Sequence, residues 1–175
     1  ATDRQSAYLQ MPWYAGGTLD AWVRKHQPSA VRLREVLRGV LRGVEHLHVA
    51  GVVHRDLKPQ NVLMDDSGRP RVADFDVSKS DEERRLETTR VQDVNTLGGV
   101  FTLAYMAPEL LQNVAASFAS DVFAVGLLML DMHDLARMEE RQRAWLREAG
   151  EYSVPAMPDS VPEPLRELLQ HMLHA

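Results

Sequence analysis

With 175 residues the chain has the length of one domain and enough sequence to bury a sizeable core. Its formal net charge of −5 supplies no basic footprint for nucleic acid or an anionic lipid surface, and the absence of cysteine rules out disulfides and thiolate metal centres. The longest apolar run, 123–130, is too short to span a bilayer, and no charged-then-apolar leader opens the chain. The first residue is Ala1 rather than Met, so a piece cut from a longer protein is expected.

Residues 8–14 read as a short strand ending in a connector, broken by Pro12 and then by Gly16 and Gly17. Thr18 is placed to cap a short helix running through Leu19, Trp22 and Val23 to about His26. Pro28 and Ser29 open a long helix. Its Leu33, Val36, Leu37, Val40, Leu41, Val44 and Leu47 recur at spacings of three and four and form one buried stripe. Arg32, Arg34, Arg38 and Arg42 lie mostly off that stripe and read as a solvated face, and Gly51 stands where a left-handed residue ends a helix.

After Gly51 the period changes. Val52 and Val53 suggest a short strand, and 62–64 with 71–73 flank the turn-rich Asp65, Asp66, Ser67 and Gly68 as a hairpin. From 76 to about 100 the chain is polar and aperiodic, a long functional loop. Helices are predicted over 108–112, over 118–132 (apolar nearly all round) and over 135–148. A Pro-punctuated stretch over 154–164 precedes a last helix with Leu165, Leu168, Leu169, Met172 and Leu173 on one face. The expected fold is mainly α, with a small β-hairpin carrying the catalytic and metal-binding loop.

The chemistry concentrates in His54-Arg55-Asp56-Leu57-Lys58-Pro59-Gln60-Asn61, with Asp74-Phe75-Asp76 across the hairpin. Transfer of a γ-phosphoryl group passes through a loose, highly charged transition state, so catalysis is mostly positioning and charge stabilisation. It needs a carboxylate to orient the acceptor hydroxyl, a cation on the phosphoryl, and hard oxygen ligands for Mg²⁺. Asp56, Lys58, Asn61 and Asp74 are the right residue types, at spacings that a tight loop and its hairpin can bring together.

Those segments resemble the protein kinase family. His54 to Asn61 matches the catalytic loop, Asp74-Phe75-Asp76 the metal-binding triplet, and Tyr105-Met106-Ala107-Pro108-Glu109 the Ala-Pro-Glu motif. Asp121 resembles the central-helix aspartate that anchors the catalytic loop. The resemblance implies Asp56 as catalytic base or hydroxyl-orienting residue, Lys58 as the phosphoryl-contacting lysine of Ser/Thr-type members, and Asn61 and Asp74 as Mg²⁺ ligands. Thr102 resembles the threonine that holds the catalytic loop against the substrate-docking segment. At the start, Met11 resembles the gatekeeper and Pro12 to Tyr14 the adenine-binding hinge, through the Pro12 carbonyl and the Tyr14 N–H. Thr18 then falls near the ribose and Leu63 at the adenine floor. The implied division is a last N-lobe strand and hinge over 1–17, then a helical C-terminal lobe over 18–175, truncated before its final helix. ATP and Mg²⁺ are the implied cofactors. A protein substrate and the chain's own N-terminal kinase lobe are the implied partners, with no nucleic acid and no membrane, and with cytoplasmic or nuclear residence.

The departures from the pattern are informative. No Gly-rich phosphate loop, Ala-x-Lys strand or partner-glutamate helix precedes Ala1, so the chain alone is expected to be nearly inactive. Asp76 replaces the usual glycine, Phe101 replaces the glycine before the docking threonine, and the stretch from Asp74 to Glu109 is long. The arginine that normally pairs with Glu109 lies beyond Ala175 in this reading. Arg55 could pair with a phosphorylated Thr88, Thr89 or Thr96, and Gln60 replaces the Glu that basic-substrate kinases often carry. His46, His48 and His54 read as packing and helix-end residues rather than a metal cluster, and Trp13 and Trp22 as packing residues near the hinge. A pseudokinase-type scaffold is the rival reading. A small-molecule kinase is disfavoured by Lys58 and the Ala-Pro-Glu segment.

Overall fold

The computed structural model describes residues 10–74, 79–80, 104–111, 114–136, 138, 157 and 159–174. Helix α1 (Leu19–His26) follows Thr18, which has the extended backbone of an N-cap, but its hydroxyl donates to Asp20 Oδ1 at 2.7 Å instead of capping the helix. Leu19, Trp22 and Val23 face inward. Helix α2 (Ala30–Val49) begins at Ser29, whose Oγ accepts from the Arg32 N–H at 3.3 Å. Its Leu33, Val36, Leu37, Val40 and Val44 are buried, as the three-and-four spacing requires. Gly51, at φ +74°, donates its N–H to the His48 carbonyl at 3.0 Å and turns the chain out of the helix.

Strand β1 (Val52–Val53) pairs antiparallel with β4 (Lys79–Ser80), and β2 (Val62–Met64) pairs antiparallel with β3 (Pro70–Val72). The β2–β3 hairpin lies on α2 through two glycines four residues apart. A Cβ at Gly39 would stand 2.6 Å from Pro70 Cγ, and one at Gly43 would stand 2.9 Å from Val72 Cγ2, so only glycine admits the strand this closely. The turn is organised by Asp65, whose Oδ1 accepts from the amides of Arg69 and Ser67 and from the Ser67 hydroxyl, while Oδ2 faces Arg71. The Arg69 amide, then the Ser67 hydroxyl, hold this carboxyl well below the usual carboxylate range.

Helix α3 (Pro108–Leu111) is a single turn, and α4 (Phe118–His133) is the central element. Every residue from Phe123 to Met132 is buried, which accounts for its nearly uniform apolarity. Helix α5 (Glu163–Leu173) packs on α4, with Met172 and Leu173 closing over Gly126. Among the described residues the architecture is mainly helical, with two small antiparallel sheets, and no helix is long and apolar enough to cross a membrane.

Several sequence expectations are corrected. Residues 10–14 form no strand, and Trp13 is 90% exposed rather than a packing residue, whereas Trp22 is buried. The second hairpin strand starts at Pro70, one residue early, because the Asp65 N–H already meets the Arg69 carbonyl at 2.9 Å. Leu168 is 45% exposed; it sits about 60° round the helix from Leu165, at the edge of the apolar face rather than within it. Asp76, Phe101, Thr88, Thr89, Thr96 and most of the predicted helix over 135–148 lie outside the described residues.

Near the end of α4 the Nε2 of His133 is buried without a hydrogen-bond partner among the described residues. Burial, and secondarily the Arg34 charge, push its pKa below the ordinary value of 6.5. The unfolded chain therefore binds this proton first, so its contribution to stability is intact above about pH 6.5 and is eroded as pH falls toward the depressed folded value. Thermal unfolding midpoints across pH 5 to 7.5, read for wild type and His133→Gln, are expected to show a flatter acid limb in the variant (about that pH window).

Candidate active site

Strand β1 delivers the chain into His54, Arg55 and Asp56. The His54 side chain is fully buried; its ring Nε2 lies 3.0 Å from the Ala73 carbonyl and its Nδ1 lies 3.3 Å from the Asp56 amide. One neutral tautomer satisfies both, with Nε2 donating and Nδ1 accepting. Arg55 has φ +74°, a left-handed conformation that a non-glycine residue holds only when its surroundings impose it. Asp121 imposes it. Its Oδ1 accepts from the Arg55 amide at 2.9 Å, and its Oδ2 accepts from the His54 amide at 2.8 Å and from His48 Nε2 at 2.9 Å. Asp121 is 1% exposed in the first turn of α4, where the helix dipole favours a negative charge. The His48 ring rests against Phe118, with centroids 4.6 Å apart.

The loop thus anchored presents Asp56. Its Oδ2 accepts from Lys58 Nζ at 2.7 Å and from Asn61 Nδ2 at 2.8 Å, and the same Asn61 nitrogen reaches the Asp56 carbonyl at 2.8 Å. A 3₁₀ turn over Pro59–Asn61 makes this possible, because the Asn61 amide folds back onto the Lys58 carbonyl at 3.0 Å. Asp74 is tied to the loop through the backbone. The Ala73 N–H donates to the Asn61 carbonyl at 2.9 Å while His54 holds the Ala73 carbonyl, and Asp74 follows at φ +66°.

Three of the four expected phosphoryl-transfer residues therefore converge on one carboxylate oxygen, and the fourth, Asp74, stands two residues beyond the end of β3. With its nitrogen committed to Asp56, Asn61 has its amide oxygen left for a cation, and Asp74 adds a carboxylate. That is a hard-oxygen pair suited to Mg²⁺, a cation that keeps waters and phosphate oxygens in its shell. Among the described residues no three His, Cys, Asp or Glu side chains gather where they could hold a metal ion.

The other expected site residues are placed unevenly. Thr18 and Leu63 are brought together as an isolated antiparallel bridge, braced by Gly16 N–H to the Met64 carbonyl at 3.1 Å. Met11 is 52% exposed, Pro12 is exposed and Tyr14 is half-buried, on a segment outside any helix or strand. Thr102 lies outside the described residues. A small cleft between the loop and the segment at 105–106 is lined by Arg55, Asp56, Leu57, Tyr105, Met106, Ser120, Asp121 and Ala124.

Sequence reasoning missed two contacts beside that cleft. The buried Tyr105 hydroxyl donates to Asp131 Oδ2 at 2.6 Å, and the Ser120 hydroxyl donates to Glu109 Oε1 at 2.6 Å. A lone acid inside the apolar run of α4 was the available signal for the first, and the Ser117-x-x-Ser120 capping pattern for the second.

Comparison with known proteins adds to this geometry. The family model described as "Protein kinase domain" matches residues 1–175. The chain is 35% identical over 137 residues to a MAP kinase kinase of Saccharomyces cerevisiae, covering 74% of this chain and 25% of that protein. It is 31% identical over 173 residues to a probable serine/threonine-protein kinase of Dictyostelium discoideum, covering 98% of this chain and 36% of that protein. It is 32% identical over 126 residues to a probable serine/threonine-protein kinase of Lactococcus lactis, covering 71% of this chain and 19% of that protein. The chain thus spans well under half the length of each of these relatives.

Proposed function

The chain belongs to the protein kinase family, and on that premise we propose that it carries the phosphoryl-transfer centre of a serine/threonine kinase that uses ATP and Mg²⁺. The observation that carries the reading is the meeting of Lys58 Nζ and Asn61 Nδ2 on Asp56 Oδ2. Asp56 orients the acceptor hydroxyl and receives its proton as the new O–P bond forms and the bond to the leaving ADP breaks. Lys58 offsets the charge on the transferring group, and Asn61 and Asp74 hold Mg²⁺. Bound Mg²⁺–ATP supplies the phosphoryl group and neutralises charge on its oxygens. Met11 is the gatekeeper and Pro12 to Tyr14 the nucleotide hinge, Thr18 and Leu63 flank the ribose and adenine, and Thr102 holds the catalytic loop against the docking segment. In this reading residues 1–17 are the last N-lobe strand and hinge and 18–175 the helical lobe. Lys58, and the names of two relatives as serine/threonine-protein kinases, support seryl and threonyl hydroxyls of proteins as acceptors.

Asp76, standing where the family carries glycine, favours a second reading as a pseudokinase-type binding or scaffold module. Ligand binding separates the two. For the full-length protein, saturating Mg²⁺–ATP is expected to raise stability by about 2.7 kcal/mol at a hundredfold excess over Kd. Chelating the metal, or Asp74→Asn, should remove most of that gain. An unfolding midpoint indifferent to Mg²⁺–ATP, together with no phosphate transfer, would favour the scaffold.

A further inference from the structure

The first turn of α4 holds two segments at once, by adjacent residues. Asp121 fixes the backbone of His54 and Arg55, as described. Ser120, 3% exposed, donates its hydroxyl to Glu109 Oε1 at 2.6 Å. A serine hydroxyl has one proton, so with that proton on Glu109 the Ser120 oxygen is left to accept. It does so from the Ser117 amide at 3.1 Å, and the 3.4 Å contact between the Ser117 and Ser120 hydroxyls is donated by Ser117. The result is a directed chain from the Ser117 amide through Ser120 to the Glu109 carboxylate, ending at the N-terminus of a helix that favours negative charge. Glu109 in turn organises its own segment, for its carbonyl accepts the Val114 amide at 3.0 Å while the Leu110 amide closes on Ala107 at 3.0 Å. Ser120 and Asp121 also line the cleft that Asp56 shares with Tyr105 and Met106.

We propose that Ser120 is a positioning residue, latching residues 105–111 through Glu109 to the same helical turn that holds the catalytic loop, and so fixing the gap between the acceptor-docking segment and Asp56. This rests on the kinase reading for its effect on activity, but not for the latch itself. Ser120→Ala removes one hydrogen bond to a charged group, so in the full-length protein it is expected to raise KM for a protein acceptor about tenfold while KM for ATP stays within about twofold. Ser120→Thr keeps the hydroxyl and should bring the acceptor KM back to within about threefold of wild type. Glu109→Ala and Ser120→Ala break one contact, so the double variant should be no worse than the more severe single one.

Amide hydrogen exchange reads the latch without any turnover. Ser120→Ala should speed exchange at Leu110 and Val114 about tenfold and leave Met64, in the hairpin, unchanged. Should Ser120→Ala fail to fold, Glu109→Ala carries the same exchange test, with Glu109→Gln, whose amide oxygen still accepts the hydroxyl, expected to fall between alanine and wild type. Unchanged exchange at Leu110 and Val114, additive effects in the double variant, or an ATP KM that rises in step with the acceptor KM would each overturn the proposal. A wild-type protein with no transferase activity overturns the kinase reading alone, and exchange then decides whether the latch exists.

Discussion

Asp121→Ala is expected to destabilise the fold by about 3–5 kcal/mol and to abolish phosphate transfer. The size follows from what the carboxylate holds. Two backbone amides and one imidazole donate to it, at 2.8–2.9 Å, in a site that is 1% exposed. Removing it strands those donors where water does not readily replace it, and it also withdraws the acceptor that keeps Arg55 at φ +74°. Asp121→Asn leaves an amide oxygen in place but turns one acceptor into a donor facing donors, so it should fall between alanine and wild type. Urea unfolding gives the stability change, and hydrogen exchange at the His54 and Arg55 amides reports whether the loop came loose. A loss below about 1 kcal/mol would mean that the loop is held by something else.

Asp56→Asn is the second large effect, and it should be kinetic. The substituted amide retains an oxygen for Lys58 and Asn61, and the native side chain is 17% exposed, so folding should be little disturbed. What disappears is the group able to take the acceptor's proton and align its oxygen. General base catalysis and orientation of this kind contribute about 10²–10⁴-fold, so kcat should fall by that factor with KM for ATP nearly constant. Lys58→Ala should be the less informative variant, since it also strips Asp56 Oδ2 of its closest partner at 2.7 Å.

The helical frame was legible because its signals are local. The apolar spacing of α2, Ser29 before it and Gly51 after it located that helix to within a residue. The near-uniform apolarity over 123–132 announced a central element, and α4 is that element. The residues that meet at Asp56 were legible from type and order, since a tight loop leaves them few alternatives. Contacts made across the chain were not. The Ser120–Glu109 bond and the Tyr105–Asp131 bond join residues 11 and 26 positions apart, and no periodicity encodes them. Trp13 misled because an aromatic residue is ordinarily read as core, and only the position of the chain decides whether there is anything to pack against. Leu168 misled because a five-residue apolar set exceeds what one neighbouring helix covers, and the edge member stays wet. Gly39 and Gly43 were passed over inside a helix, where glycine is usually a weakness; their value appears only once β3 lies across them.

Incorporation of the γ-phosphate of ATP into a seryl or threonyl protein acceptor, measured on the full-length protein beside its Asp56→Asn variant, tests the central assignment most directly. The assignment predicts Mg²⁺-dependent incorporation by the wild type and a loss of at least about a hundredfold in the variant. Equal incorporation by both proteins, or none by the wild type, would contradict it.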